Sequence, residues 1–203
     1  MPTLATTESI KKTAAALADH HFEAIEVASK EEALEKIKEL IPTGATVMNG
    51  ASQTLEQIGY IDYAKSDQHP WVNLHTSIVA ETDFAKQAEL RQDAFKADYY
   101  LGSAHALTET GEILIASNTG SQLPHLAYTS KNVILVIGAQ KIVADVPAGF
   151  ARIASDVIPL EDERMKGVYG YGTLWAKTLV MHQENPALGR SARVIIVNEQ
   201  LGF

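Results

Sequence analysis

The chain alternates segments of helical period with short apolar runs, and three of those runs end directly in loops of small polar residues. Ala45–Met48 leads into Asn49-Gly50-Ala51-Ser52, Ala104–Thr108 into Glu109-Thr110-Gly111, and Ile113–Ala116 into Ser117–Gln122. Alternation of this kind is the pattern of an α/β fold. In open α/β sheets, ligands bind at loops that follow strands. The stretch His105–Val143 holds two of the three loops and a further apolar run, Val133–Ile137, so it reads as half of a small-molecule site.

Helical spacing marks Ser9–His20, with Ile10, Ala14, Leu17 and Ala18 on one stripe, and Lys30–Ile41, with Ala33, Leu34, Ile37, Leu40 and Ile41. Ser29 is placed to cap the second of these, and Glu32 to complete a capping box. Thr54–Ile58, Val79–Ala94, Leu123–Tyr128, Ala148–Val157 and Thr173–His182 also read as helical, and Leu160–Val168 as charged surface. Strands are expected at Phe22–Val27, Ala45–Met48, Asp98–Leu101, Ala104–Thr108, Ile113–Ala116, Val133–Ile137 and Val194–Asn198, and a loop over Ser66–Thr76. The turn near Glu112, with strands on either side, predicts one antiparallel hairpin set into a largely parallel sheet. No repeat or low-complexity linker divides the chain, so residues 1–203 read as a single domain with an N-terminal helix.

Composition narrows the function classes. A net charge of −8 without a Lys/Arg run argues against nucleic-acid binding and against a membrane-surface patch. Zero cysteines remove thiolate nucleophiles and Cys-ligated clusters from these residues. No run approaches the ~18 apolar residues of a membrane span, and the first residues lack the apolar core of a secretory signal. A cytoplasmic protein is expected.

Three constellations carry candidate chemistry. Asn49, Gly50, Ser52 and Thr54 present backbone N–H groups and hydroxyls, which suit a phosphate or carboxylate, although Ser52 and Thr54 also read as simple helix caps. No P-loop lysine accompanies them. Glu109, flanked by Thr108 and Thr110, reads as the catalytic carboxylate, provided burial raises its pKa. The other reading is a turn acid bonded to nearby backbone. Asn118, Thr119, Gly120 and Ser121 form a second anion cradle, or an ordinary capped loop. The seven histidines include no zinc-type pair with a third ligand, so no metal site is expected. Of these, His125 follows the third loop and reads as a packing or hydrogen-bonding residue.

The chain resembles the LUD-domain family, the lactate-utilisation protein C group. The resemblance rests on Ser52-x-Thr54-Leu55-x-x-Ile58-Gly59, on Glu109-Thr110-Gly111 before an apolar strand, and on Leu123-Pro124-His125 followed by Val133–Ile137 and Lys141-Ile142-Val143. It implies a three-layer α/β/α, CoA-transferase-like fold, with a mostly parallel sheet and an antiparallel hairpin. That fold group binds phosphosugars or CoA esters at loops after strands. The resemblance also implies a part in using lactate or a related organic acid, with a small anionic metabolite bound at the strand-end loops. The alternative is a non-catalytic assembly or binding subunit of a multi-protein oxidoreductase. Electron-carrying iron–sulfur oxidoreductase subunits are implied as partners, since this chain is expected to hold no cofactor, and a homo-oligomer is compatible. One departure stands out. The family's C-terminal Gly-Pro-Ser-x-Thr-x-Asp-Ile-Glu type stretch corresponds here to Gly170–Lys177, which keeps Thr173 but replaces the acidic pair and carries Trp175 and Lys177.

Overall fold

Strands that are apolar on both faces need a layer on each side. The strand β7 (Asn132–Gly138) meets that condition: Val133, Leu135 and Ile137 face one core, and Ile134 and Val136 the other. Its neighbour β10 (Ser191–Val197) divides the same way, with Val194 and Ile196 against Ile195 and Val197. All nine of these side chains are at most 1% exposed. Each such burial is worth about 1.5–3 kcal/mol, so these two strands anchor the domain.

The computed structural model describes residues 3–66 and 68–203. Around β7 and β10 a six-stranded sheet assembles from β1 (Glu23–Val27), β2 (Thr46–Asn49), β3 (Val72–Asn73) and β4 (Tyr99–Gly102), in the order β1-β10-β7-β4-β2-β3. Every pairing in it is parallel. One face is covered by α2 (Lys30–Leu40), α3 (Gln53–Gln57) and α4 (Tyr60–Lys65), through Ala33, Ile37, Leu55, Tyr60 and Ala64. The other is covered by α1 (Thr7–Asp19), through Ile10 and Leu17, and by a second sheet.

That second sheet is where the structure departs from the expected topology. The hairpin of β5 (Ala106–Thr108) and β6 (Ile113–Ser117) is antiparallel, as expected, but it does not join the main sheet. It forms a separate four-stranded sheet, in the order β8-β5-β6-β9, with β8 (Ile142–Val143) and β9 (Lys177–Met181). Leu107, Ile113 and Ile115 point into the core shared with the main sheet, and Ala106, Leu114 and Ala116 point outward. The outward face is covered by α7 (Val146–Arg152) and the helical residues after it, through Gly149, Ile153 and Val157.

The helix expected over Thr173–His182 is instead the strand β9, paired antiparallel with β6 from Ile113↔Met181 to Ser117↔Lys177. An apolar run this short has no period that separates helix from strand. Its alternation decides: Val180 packs on the α7 side, while Leu179 and Met181 enter the shared core. The single helix expected over Val79–Ala94 is two, α5 (Leu74–Ala80) and α6 (Phe84–Asp93), because Asp83 accepts hydrogen bonds from the N–H groups of Ala85 and Lys86 and starts a new helix. The loop expected over Ser66–Thr76 contains β3 and the start of α5, and Asp67 within it lies outside the described residues. Ser29 caps α2 as expected, with Glu32 reaching back to the Ala28 N–H at 2.8 Å.

Residues 146–169 run as one long helix, in which a π-helical segment, Ile153–Val157, links α7 to α8 (Ile158–Tyr169). α7 lies on the second sheet, and α8 leaves it with no fully buried residue. Gly170, in the left-handed region with φ +78°, ends the helix by donating its N–H to the Lys166 carbonyl. Among the described residues no helix is long and apolar enough to cross a membrane.

Two glycines make opposite predictions. A Cβ at Gly138 would stand 2.7 Å from the Leu201 nitrogen and 2.8 Å from the Glu199 oxygen, both backbone atoms that have little room to shift. Gly138→Ala should lower stability by about 1–3 kcal/mol. Gly167, inside α8 with nothing near its absent Cβ, should gain about 0.5–1 kcal/mol as alanine. Denaturant midpoints of the two variants check both signs.

Candidate functional site

The main sheet is parallel, so the loops that leave its strands gather at one edge. They come from β2 (Gly50–Thr54), β4 (Ser103–His105), β7 (through Lys141) and β10 (Gly202 and Phe203). The loop after β6, Ser117–Gln122, closes one side of this edge, and α8 with the residues after it closes another through Ile158, Met165, Tyr169, Tyr171 and Leu174. Together they enclose a cleft of 590 Å³, within the ~300–1,000 Å³ range of small-molecule sites.

Lys141 sits at the floor. It ends an unbroken buried stretch that begins at Val133, and it is 2% exposed. Its Nζ donates to the Thr54 hydroxyl at 3.0 Å and to the Ser103 hydroxyl at 3.2 Å. Thr54 passes a hydrogen bond on to the Leu201 carbonyl at 3.3 Å. Among the described residues no carboxylate pairs with Lys141. Burial, aided by the nearby Arg152 charge, pushes the ammonium down to about 7. An ammonium has three N–H donors, and two hydroxyls leave one of them without a protein acceptor.

The surroundings shape the space above Nζ. The segment 201–203 crosses the cleft floor, held by reciprocal hydrogen bonds between Leu201 and the Gln140 amide (2.8 and 3.2 Å) and by Gly202 N–H to the Gln57 side chain at 2.7 Å. Gly202 has φ +60°, and a Cβ there would stand 2.5 Å from the Thr54 hydroxyl and 3.2 Å from Lys141 Nζ. Glycine therefore keeps the lysine's end of the cleft open. His105 accepts the Ala116 N–H at Nδ1 (3.0 Å), which leaves its proton on Nε2. Burial, with the charges of Lys141 and Arg152, pushes its pKa down to about 3, so the ring is neutral. Arg152 donates to the His105 carbonyl. The buried Tyr100 hydroxyl meets Gly50, whose absent Cβ would lie 2.7 Å from it, and burial raises that phenol's pKa. Arg91 adds an exposed positive charge, while Arg164 is engaged by Glu161 through two bonds of 2.6 and 2.7 Å.

Of the expected site residues, Gly50, Ser52, Thr54, Asn118, Thr119 and Ser121 line this cleft. Asn49 is buried behind it, with its amide on the Gly50 carbonyl at 3.2 Å. Gly120 turns away against the Lys177 side chain. Ser52 does cap α3 by accepting the Leu55 N–H. With only five residues, that helix adds little dipole to an anion site.

Glu109 and Thr110 do not line the cleft. They sit at the turn of the β5–β6 hairpin, where the Glu109 carboxylate accepts from Lys12 at 2.8 Å and from Ser9 at 2.5 Å, both on α1. These two partners hold Glu109 below the usual carboxylate range, the reverse of the raised pKa expected for an acid–base role. Thr110 bonds to Thr108 and Glu112 within the turn. The expectation that Glu109 faces Ser52 and Ser121 across one pocket is therefore corrected, because the hairpin turn carries it to α1 instead. His125 is buried, stacked on Tyr100 at 4.6 Å and bonded to Ser130, a packing role as expected. Among the described residues no three His, Cys, Asp or Glu side chains gather as a metal site would require.

Lys141, Ser103 and His105 are the residues that sequence reasoning missed as site members. The signal for Lys141 was slight: a lysine three residues past an apolar strand, with Gln140 before it and Asp145 four positions on. Such a lysine is either solvent-exposed at a strand end or buried for a purpose, and only the fold separates the two.

A sequence model of the family described as "LUD domain" matches residues 10–175. No curated protein matches the chain. Among solved structures, a DUF162 family protein from Deinococcus radiodurans superposes with a TM-score of 0.57 at 12% identity, over 96% of this chain and 98% of that one. At that identity the likeness is one of fold.

Two pH dependences follow. Lys141 binds fewer protons folded than unfolded between about 7 and its ordinary value of 10.5, so its term makes stability rise with pH across that window. Lys141→Met should remove this rise, as read from melting temperatures at pH 6 to 10 compared with wild type. Glu109 has a depressed folded pKa, so its ties to α1 contribute above about pH 4.5 and fade as acid protonates it. Glu109→Gln should cost at most about 1 kcal/mol at neutral pH, because the Lys12 partner is 60% exposed. The difference from wild type should shrink on acidification.

Proposed function

The chain belongs to the LUD-domain family, and from that premise we propose that it serves the utilisation of lactate or a related organic acid by binding the small carboxylate in the cleft above Lys141. The observation that carries this reading is the buried ammonium held, among the described residues, by two hydroxyls and no carboxylate. A charge out of water without a counter-ion is costly, and an anionic ligand is the partner that would offset it. His105 Nε2–H and the hydroxyls of Ser52, Ser103 and Ser121 surround the same space with donors.

Oxidising a hydroxy acid to an oxo acid releases two electrons, and these residues hold no cysteine to ligate an iron–sulfur cluster. The proposal therefore assigns electron transfer to partner subunits and substrate binding to this chain. A group of exposed aromatic and apolar side chains at the cleft rim, Tyr169, Tyr171 and Leu174, favours such a contact. The same rim supports the alternative of a non-catalytic assembly subunit, in which the cleft would be a relic.

Calorimetric titration with L-lactate and with pyruvate tests the reading. The proposal expects binding to wild type that is tightest below about pH 7 and weakens as Lys141 deprotonates above it. Lys141→Met should lose about 2 kcal/mol or more of binding free energy, while Glu109→Gln should bind as wild type does. Undiminished binding to Lys141→Met, or none to wild type, contradicts it.

A further inference from the structure

A lysine amine buried at the floor of an open cleft is a poor structural element. Among the described residues it forms no ion pair, and its hydrogen bonds to Thr54 and Ser103 replace only part of what water would give. The fold spends specific features to keep it both buried and reachable: Gly202 crosses beside it where any Cβ would crowd Nζ, and Gln140 and Gln57 hold that segment in place. The two hydroxyls hold Nζ and Lys141 lines the cleft, so the nitrogen is placed for chemistry on a bound ligand as well as for charge pairing.

Resting on the proposed oxo- and hydroxy-acid site, we propose that Lys141 is a carbonyl-capturing amine, which condenses with the keto group of a bound 2-oxo acid to form an imine at Nζ. In the first step the nitrogen lone pair attacks the keto carbon, a C–N bond forms, and the carbonyl oxygen becomes a hydroxyl. In the second, that C–O bond breaks and the oxygen leaves as water. The two protons it takes come from the nitrogen, relayed through the Thr54 or Ser103 hydroxyl or solvent. Nothing is oxidised or reduced. A 2-hydroxy acid has no keto carbonyl, and its carboxylate carbon does not condense with an amine, so the site distinguishes the two oxidation states of one carbon skeleton: it binds the alcohol and captures the ketone.

Two further observations fit. Desolvated lysines are the ones that supply a neutral amine near neutral pH, and Lys141 is pushed down to about 7. Arg152 lowers its proton affinity, His105 beside it is kept neutral by burial, and Glu56, Arg91, Glu161 and Arg164 are the other charged side chains that line the cleft.

The test is reductive trapping. The whole chain is incubated with pyruvate and sodium cyanoborohydride, its intact mass is measured, and the modified peptide is located after digestion; L-lactate serves as the control. The proposal expects a single adduct at Lys141 with pyruvate and none with lactate. Its rate should rise with pH to about 7 and then level off, whereas ordinary surface lysines, near about 10.4, keep gaining to far higher pH. Lys141→Arg, which keeps the charge, should lose the adduct; if that variant does not fold, the peptide map of wild type alone decides. Adducts spread over surface lysines, or no more adduct than in lactate, overturn the inference. Lactate and pyruvate binding without an adduct would sink the imine and leave the proposed function standing. An adduct at Lys141 in a protein that does not bind lactate would do the reverse.

Discussion

Burial of β7 and β10 on both faces is the constraint from which the rest follows. Two strands with no polar face oblige the chain to build a layer on each side. One layer is helical, from α2, α3 and α4. The other combines α1 with a second sheet, which must then cover its own outer face with α7. Because the main strands all run the same way, their outgoing loops meet at one edge, and the cleft forms there. The continuous helix from α7 into α8 connects the outermost layer to the wall of that cleft.

The same constraint explains Lys141. It lies in the short turn after β7, 2% exposed, and its nitrogen reaches the hydroxyls of Thr54 and Ser103, which follow two other strands. Thr54 stands in α3, directly after the loop that leaves β2, and Ser103 in the loop after β4, so one nitrogen ties together segments that follow three strands.

How much of this was legible in the residues depends on the kind of signal. The central strands were readable because continuous Val/Ile/Leu runs have few alternatives. So were the caps at Ser29 and Ser52, whose geometry is local. Lys177–Met181 was misread because a five-residue apolar strand has no distinguishing period, and its partner β6 lies about sixty positions earlier. The second sheet was invisible for the same reason, since hairpin pairing is local but the choice of which sheet it joins is not. The segments 50–54 and 118–121, picked out by their small polar residues, do lie along one cleft, Gly120 excepted. Glu109 looked equally well placed, yet strand alternation could not show that its turn points to Ser9 and Lys12. Lys141 was passed over because burial of a charge is a tertiary fact.

The central claim is that the cleft above Lys141, and not the turn at Glu109, is where a small organic acid binds. A crystal structure of the chain grown with pyruvate tests it most directly. The account predicts ligand in the cleft between the 50–54 and 118–121 loops, with its keto carbon bonded to Lys141 Nζ or an oxygen within hydrogen-bond reach of it, about 2.7–3.2 Å. Ligand bound beside Glu109, or a cleft that stays without ligand at saturating pyruvate, would contradict it.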